Sequence, residues 1–304
     1  MKSKAKGQKP RAKTPVVRAK RPSFRVGLLV NPDKPMAARI IPELVQWLKA
    51  EGHRPFVATR NARALKVGID CCPADELVGK VDLVVALGGD GTLLRAARLV
   101  GRREVPIMGV NLGGLGFLTE FSADEAQEGI TSFTRGRHQE ESRMVLECRY
   151  AQRTAFVLND CAVNMGPATR AIEVTAHADG VLATKFAGDG VIVATPTGST
   201  AYSLAAGGPV VFPTMNAILL TPICPHALGS RPLILPGDAH LELAISPRSQ
   251  AAVLNLDGQD RLQIEPDQPV RIRRADFSVR LVTPRGKTYF QILRDKLKWT
   301  GSQR

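Results

Sequence analysis

The chain has 304 residues, 44% hydrophobic and 23% charged, which suits a globular protein of two ordinary domains whose core needs no disulfide or structural metal. The net charge of +14 is concentrated at one end: residues 1–25 hold ten Lys and Arg and no acid, and setting these aside leaves +4, so the body is not built as a nucleic-acid-binding surface. No apolar run is long enough to cross a bilayer.

The basic segment of Lys, Arg, Ala and Pro has too little apolar surface to fold, so residues 1–23 read as a disordered tail. It lacks the apolar stretch of a secretory signal. Order begins near Phe24. Arg25–Val30 reads as a buried strand, broken by Asn31-Pro32-Asp33. A helix is predicted over 36–50, with Ile40, Leu44, Trp47 and Leu48 on one face and Gly52 beyond its end. Strands are expected at 55–58, at 81–87 and at 105–110, the last two each running into a glycine-rich turn. Strand, helix and strand at this spacing predict a parallel sheet. From about residue 139 the runs become short and alternating, as at 171–178, 241–246, 252–256 and 270–274, which predicts antiparallel sheet. Residues 288–299 are expected to return as strand and helix onto the first domain. The expected division is therefore a tail (1–23), an α/β domain (24–138, completed by about 288–304) and an all-β domain (139–287).

Five cysteines, an odd number without regular spacing, make a poor disulfide framework and point to a reducing, cytoplasmic setting. The five histidines are scattered, and no zinc site is expected.

Three segments carry chemistry. Gly88-Gly89-Asp90-Gly91-Thr92 follows a buried strand and opens a helix. Gly88, Gly89, Gly91 and Thr92 there form a candidate phosphate loop, where backbone and helix amides meet an anion. The spacing matches neither the P-loop nor the dinucleotide fingerprint. Asp90 would repel phosphate, so it either holds a divalent metal, accepts a proton from an attacking hydroxyl, or simply makes an Asx turn. The second segment, Asn111–Leu118, should lie beside the first and share a cleft with it. The third, Gly188–Pro209, leads a strand into a cluster of hydroxyls and glycines, with Ser199 or Thr200 placed to cap a helix.

Together with LND (158–160), LTPICPHALGSRPLIL (220–235) and LDGQ (256–259), these segments stand in the order seen in NAD kinases, and the chain resembles that family over roughly residues 24–295. The GGDG turn alone also resembles phosphofructokinases and diacylglycerol and sphingosine kinases; the TPTGSTAYSLAAGGP block is the specific one. The resemblance implies a Rossmann-like, phosphofructokinase-like parallel α/β domain followed by a C-terminal β-sandwich domain, with the active site between them. It implies transfer of a phosphoryl group from ATP, or another donor such as polyphosphate, to the 2′-hydroxyl of the adenosine ribose of NAD. A divalent metal, Mg2+ by expectation, would arrive with the donor rather than in a protein cage. A homodimer or homotetramer is implied, with no membrane or nucleic-acid partner.

Carried over by position, Asp90 is the catalytic acid and Gly91 lies beside it. Arg95, Asn159, Asp160, Arg170 and Asp189 are contact positions for NAD. Thr200, Ala201, Tyr202, Ser203, Leu204 and Ala205 line the adenine and ribose pocket, and Gln259 closes it. Three positions depart from the family pattern. Ala187 stands where many bacterial members have Arg, so a phosphate contact is either missing or supplied from elsewhere, with Lys185 as candidate. Asp160 is the shorter acid of its pair, and Ala205 replaces a common Ser. The rival readings are a lipid or sugar kinase, a catalytically silent nucleotide-binding regulator, and a nucleic-acid binder driven by the tail.

Overall fold

The computed structural model describes residues 22–299 except 60, 63–68, 115, 167–170, 248, 250–251 and 267. The basic tail through residue 21 and Arg170 lie outside the described residues.

The first half alternates strand and helix. β1 (Arg25–Val30) is followed by α1 (Ala37–Ala50), β2 (Arg54–Ala58), β3 (Cys71–Cys72), α2 (Ala74–Leu77), β4 (Leu83–Gly88), α3 (Asp90–Val100), β5 (Ile107–Asn111), β6 (Phe121–Ser122) and α4 (Ala126–Thr134). The strands pair in parallel in the order β3-β2-β1-β4-β5, with β6 beside β5. Both faces of this sheet are covered, so β4 and β5 are buried at every position. Helix α1 docks through Ile40, Ile41, Leu44, Val45 and Leu48, the apolar stripe predicted from its period, while Trp47 is only partly buried against the same core.

The second half is antiparallel. It comprises β7 (Gln139–Tyr150), β8 (Arg153–Val157), β9 (Asp160–Met165), β10 (Ile172–Ala178), β11 (Val181–Gly188), β12 (Gly190–Ala194), the short α5 (Tyr202–Ala205), β13 (Ala217–Ile223), β14 (Leu233–Pro236), β15 (Leu241–Ile245), β16 (Ala252–Leu256), β17 (Asp260–Ile264) and the long β18 (Val270–Thr283). One sheet runs β14-β13-β12-β9-β16-β17. It packs against β10, β15, β7 and the start of β18 through alternating residues such as Val163, Val191, Leu254, Val174, Leu243 and Ile272. The expected sandwich and parallel domain are both present.

The two halves share a sheet. The first part of β18 pairs with β15, its end pairs in parallel with β5 at Leu281 and Val282, and β7 runs antiparallel along its whole length. A bulge between Arg274 and Ser278 lets one strand serve both units. The strand that returns to the first unit is therefore the end of β18, and among the described residues beyond it the one regular element is helix α6 (Tyr289–Leu297). Thr288 caps α6 by a reciprocal capping box with Gln291. No helix among the described residues is long and apolar enough to cross a membrane.

Replacing Thr288 by Ala removes the bond from Gln291 N to the hydroxyl and leaves only the backbone half of the box, and is expected to cost about 1 kcal/mol. It should appear as a lowered Tm; an unchanged Tm would show that α6 is held by packing alone.

Candidate active site

Strand order reverses between β1 and β4, where one connection runs toward β2 and the other toward β5. A crevice opens at such a point at the carboxyl ends of the strands. Asn31 at the end of β1, Gly88 at the end of β4 and Asn111 at the end of β5 meet there: Asn31 N donates to Leu87 O at 2.9 Å and Leu112 N to Gly88 O at 2.8 Å. Gly88 has no room for a side chain, since a Cβ would lie 2.2 Å from Thr92 Oγ1. Gly89 and Gly91 face open space, with nothing within 4 Å of where a Cβ would stand.

Asp90, the first residue of α3, joins the two glycine turns. Its Oδ1 accepts from Leu118 N (3.1 Å), Thr119 N (3.1 Å) and Thr119 Oγ1 (3.0 Å), and its Oδ2 accepts from Phe117 N (2.9 Å). Asn111 Nδ2 donates to Thr119 Oγ1 at 2.8 Å, while Asn111 Oδ1 accepts from Gly113 N at 2.7 Å. Gly116 makes this approach feasible, because a Cβ there would sit 2.0 Å from Asp90 Oδ1. The carboxylate is a structural hub as well as a candidate base. Each carboxylate oxygen has two lone pairs, so Oδ2 keeps one in reserve.

A cavity of about 670 Å³ is lined by Asn159, Asp160, Asn164, Met165, Gly166, Ala201, Tyr202, Val253, Asn255, Asp257, Gly258 and Arg261, and the hairpin tip at Gly258 links it to α3 through Gln259 and Gly91 O. Its floor is the face of the six-stranded sheet turned away from the sandwich core. Asn164 and Asn255, neighbours on β9 and β16, hydrogen-bond across it at 2.8 Å, and Asn164 Nδ2 donates to Tyr202 Oη at 3.0 Å. The segment after β12 covers the rest of that face through Val211 and Ala206. The hairpin tip between β16 and β17 closes the edge nearest α3. There Gln259 Nε2 donates to Gly91 O at 2.9 Å, and Arg98 of α3 pairs with Asp260 and donates to Leu256 O at 3.3 Å.

Asp257 stands at this tip with φ 52°, followed by Gly258 with φ 63°, the hairpin turn expected of Asp-Gly. The carboxylate does more than turn the chain. It accepts the amides of Leu158 (3.0 Å), Asn159 (2.8 Å) and Asp160 (3.1 Å), fixing the backbone of the LND segment. Asn159 Oδ1 is buried without a partner among the described residues. Burial, reinforced by the Asp257 charge, pushes the Asp160 carboxyl up to about 7.

The cavity gathers only part of the predicted set. Asn159, Asp160, Ala201 and Tyr202 line it, and Gln259 and Gly91 join at its rim. Thr200 lies just before, its hydroxyl turned back to Thr197 O at 3.3 Å. Ser203 points the other way: it is fully buried with Oγ 2.8 Å from Thr221 Oγ1, because successive side chains of a helical turn are rotated by about 100°. Leu204 and Ala205 follow it on the outer turn and are not among the lining residues. Arg95 donates to Val30 O at 3.1 Å, on the β1 side of α3 and away from the cavity. Asp189 precedes β12, at the opposite end of that strand from Ala194, and its carbonyl takes the amide of Met165 at 2.8 Å. Lys185, the expected substitute for the missing Arg at position 187, is instead paired with Glu173 at 2.5 Å across β10 and β11. Asn164, Asn255 and Arg261 were not singled out by sequence reasoning. The only signal was polar residues alternating with apolar ones on β9 and β16.

A second depression, about 550 Å³, lies on the outer sheet face over β7, β10, β15 and β18. It is a mosaic of cross-strand pairs such as Arg271–Glu242 and Arg273–Glu147, far from either glycine turn.

The ATP-NAD kinase N-terminal domain model matches residues 26–138 and the ATP-NAD kinase C-terminal domain model matches 158–284. The chain belongs to the NAD kinase family. It is 40% identical over 280 residues to the NAD kinase of Geotalea daltonii and 39% identical to that of Geobacter sulfurreducens, in each case covering 90% of this chain and 98% of the relative. Yeast NADH kinase, solved with NADH, superposes with a TM-score of 0.86 at 28% identity, over 93% of this chain and 90% of the other. An NAD kinase from Archaeoglobus fulgidus, solved with ATP, does so with a TM-score of 0.75 at 26% identity, over 91% and 100%.

Behind the hub of this NAD kinase lies a second buried acid. Glu120, next to Thr119, is pushed up to about 7, mainly by burial and against the pull of Arg143 3.9 Å away. The unfolded chain ionises Glu120 near 4.5, so the folded state binds the extra proton between about 4.5 and 7 and loses relative stability as pH rises through that window. Thermal melts of Glu120→Gln against the parent chain are expected to shift in favour of Gln from pH 5 to pH 8; a constant difference would remove Glu120 as the source.

Gly116→Ala forces Asp90 or the second glycine turn to move. The expected result is kcat/KM lowered about tenfold or more, with a stability loss of roughly 1–3 kcal/mol as for other overpacked sites. Unchanged kinetics would mean that the hub geometry has no bearing on turnover.

Proposed function

We propose that this chain, which phosphorylates NAD to NADP, holds the adenosine ribose of NAD at the α3 edge of the cavity with its 2′-hydroxyl on Asp90 Oδ2. One observation carries this reading. The carboxylate is locked by four donors next to Gly91, which the hairpin at the cavity's edge holds through Gln259, yet Oδ2 retains an unspent lone pair. Asn159 Oδ1, buried and unpartnered, is a ready acceptor for a ribose hydroxyl. Asp160 offers a second polar contact whose protonation changes near neutral pH.

The donor is assigned to the other side of Asp90. The open faces of Gly89 and Gly91, the first turn of α3 and the Asn111–Gly113 turn present backbone to phosphate oxygens. Lys34 adds a cation, its Nζ 3.8 Å from where a Cβ on Gly113 would stand. Phosphoryl transfer has a loose transition state, so alignment and charge neutralisation carry most of the rate. The 2′-oxygen bonds to the terminal phosphorus as the bridging P–O bond breaks, the shortened donor leaves, and Asp90 takes the hydroxyl proton. ATP is the donor favoured by the family models, with polyphosphate the alternative.

The described residues contain no cluster of three or more His, Cys, Asp or Glu groups able to cage a metal. Four donors already converge on the Asp90 carboxylate, three on Oδ1 and one on Oδ2, which leaves only one free lone pair on Oδ2, so a cage of metal ligands around it does not fit. A divalent ion, Mg2+ by its preference for phosphate oxygens, would then be carried by the donor and neutralise its charge. All five cysteines are free, in keeping with a cytoplasmic setting. The exposed edge strands β11 and β14 are the surfaces offered to a homodimer or homotetramer.

Asp90→Asn keeps one acceptor oxygen but turns an NH2 toward the loop amides, so some destabilisation accompanies it. With saturating NAD and ATP, turnover is expected to fall about 10²–10⁴-fold, while NAD still binds within a few-fold of the parent. Near-normal turnover would take Asp90 out of the chemistry.

A further inference from the structure

The acceptor carries a pyrophosphate between its two ribosides, and the cavity assigned to it has few cations. Among its lining residues, the charged groups are Asp160, Asp257 and Arg261. Two carboxylates facing a dianion would repel it, and more strongly where water is partly excluded. The basic residues of α3 near that edge are committed elsewhere, Arg98 to Asp260 and Leu256 O and Arg95 to Val30 O, and Lys185 on β11 is paired with Glu173.

Arg261 differs from all of these. It is exposed at the cavity mouth, and among the described residues it makes no hydrogen bond or ion pair. It stands on β17 opposite Asn255, whose side chain belongs to the cavity floor. Its strand begins at the tip that Gln259 fastens to Gly91, beside Asp90. Arg261 follows Gln259 by two residues, just past the turn, so it stands on the same hairpin that meets α3. A guanidinium presents a planar fork of N–H donors that matches two phosphate oxygens at once.

We propose that Arg261, from β17, binds the pyrophosphate of NAD. The assignment rests on the reading of this cavity as the acceptor site. Arg261 is on the surface and its loss leaves no buried group unpaired, so Arg261→Ala folds as the parent does.

The test compares NAD with adenosine, which lacks phosphate, as a competitive inhibitor. For Arg261→Ala, KM for NAD should rise roughly tenfold to a hundredfold, the range of a lost hydrogen bond to a charged group. KM for ATP and the inhibition constant of adenosine should stay within twofold, and Arg261→Lys should recover part of the loss. Unchanged KM for NAD, or equal weakening of adenosine, overturns the assignment. Asn159→Ala and Tyr202→Ala report on the cavity itself and should weaken NAD and adenosine together. If they affect neither, the acceptor lies elsewhere and the proposal falls with the site. If they affect both while Arg261→Ala leaves NAD unchanged, the site stands and Arg261 is not its anion contact.

Discussion

Four donors converge on the Asp90 carboxylate, and the rest of the crevice is organised around that convergence. A charged acceptor at the first turn of a helix is favoured by the helix dipole, and amide donors to a carboxylate are among the stronger hydrogen bonds. The consequence is mechanical. The turn after β4 and the turn after β5 cannot move independently, because one side chain holds both. Asn111 and Thr119 extend the link, and Gly116 is the residue whose missing side chain lets the carboxylate come so close.

The second constraint is the strand shared by the two units. β18 pairs with β15 at one end and with β5 at the other, so the sandwich and the parallel sheet are parts of one continuous ladder. The hairpin between β16 and β17 then reaches back to α3 through Arg98 and Gln259. Asp257, at its tip, sets the backbone of Leu158–Asp160. Polar groups from both units are thereby fixed across one cleft. Such preorganisation is what a reaction dependent on alignment requires.

Much of this was legible in the sequence because it is local. Buried strands running into glycine turns mark the carboxyl edge of a parallel sheet, and the change to short alternating runs marks the sandwich. The Asp-Gly at 257–258 was readable as a hairpin tip for the same reason. What was not legible depends on partners distant in the chain. No local pattern says that the Asp257 carboxylate will collect three amides a hundred residues away, or that Lys185 will be consumed by Glu173 on the neighbouring strand. Ser203 and Tyr202 are adjacent in sequence, yet one is buried on Thr221 and the other faces the cavity. Arg261 looks in sequence like any exposed strand cation; only its place at the cavity mouth distinguishes it.

The most direct measurement is the position of the adenosine ribose in a crystal of the chain with NAD bound. The account places the 2′-oxygen within hydrogen-bonding distance of Asp90 Oδ2, with Asn159 Oδ1 taking up a ribose hydroxyl. A dinucleotide bound with its adenosine ribose at the Met165 end of the cavity, away from α3, would contradict it.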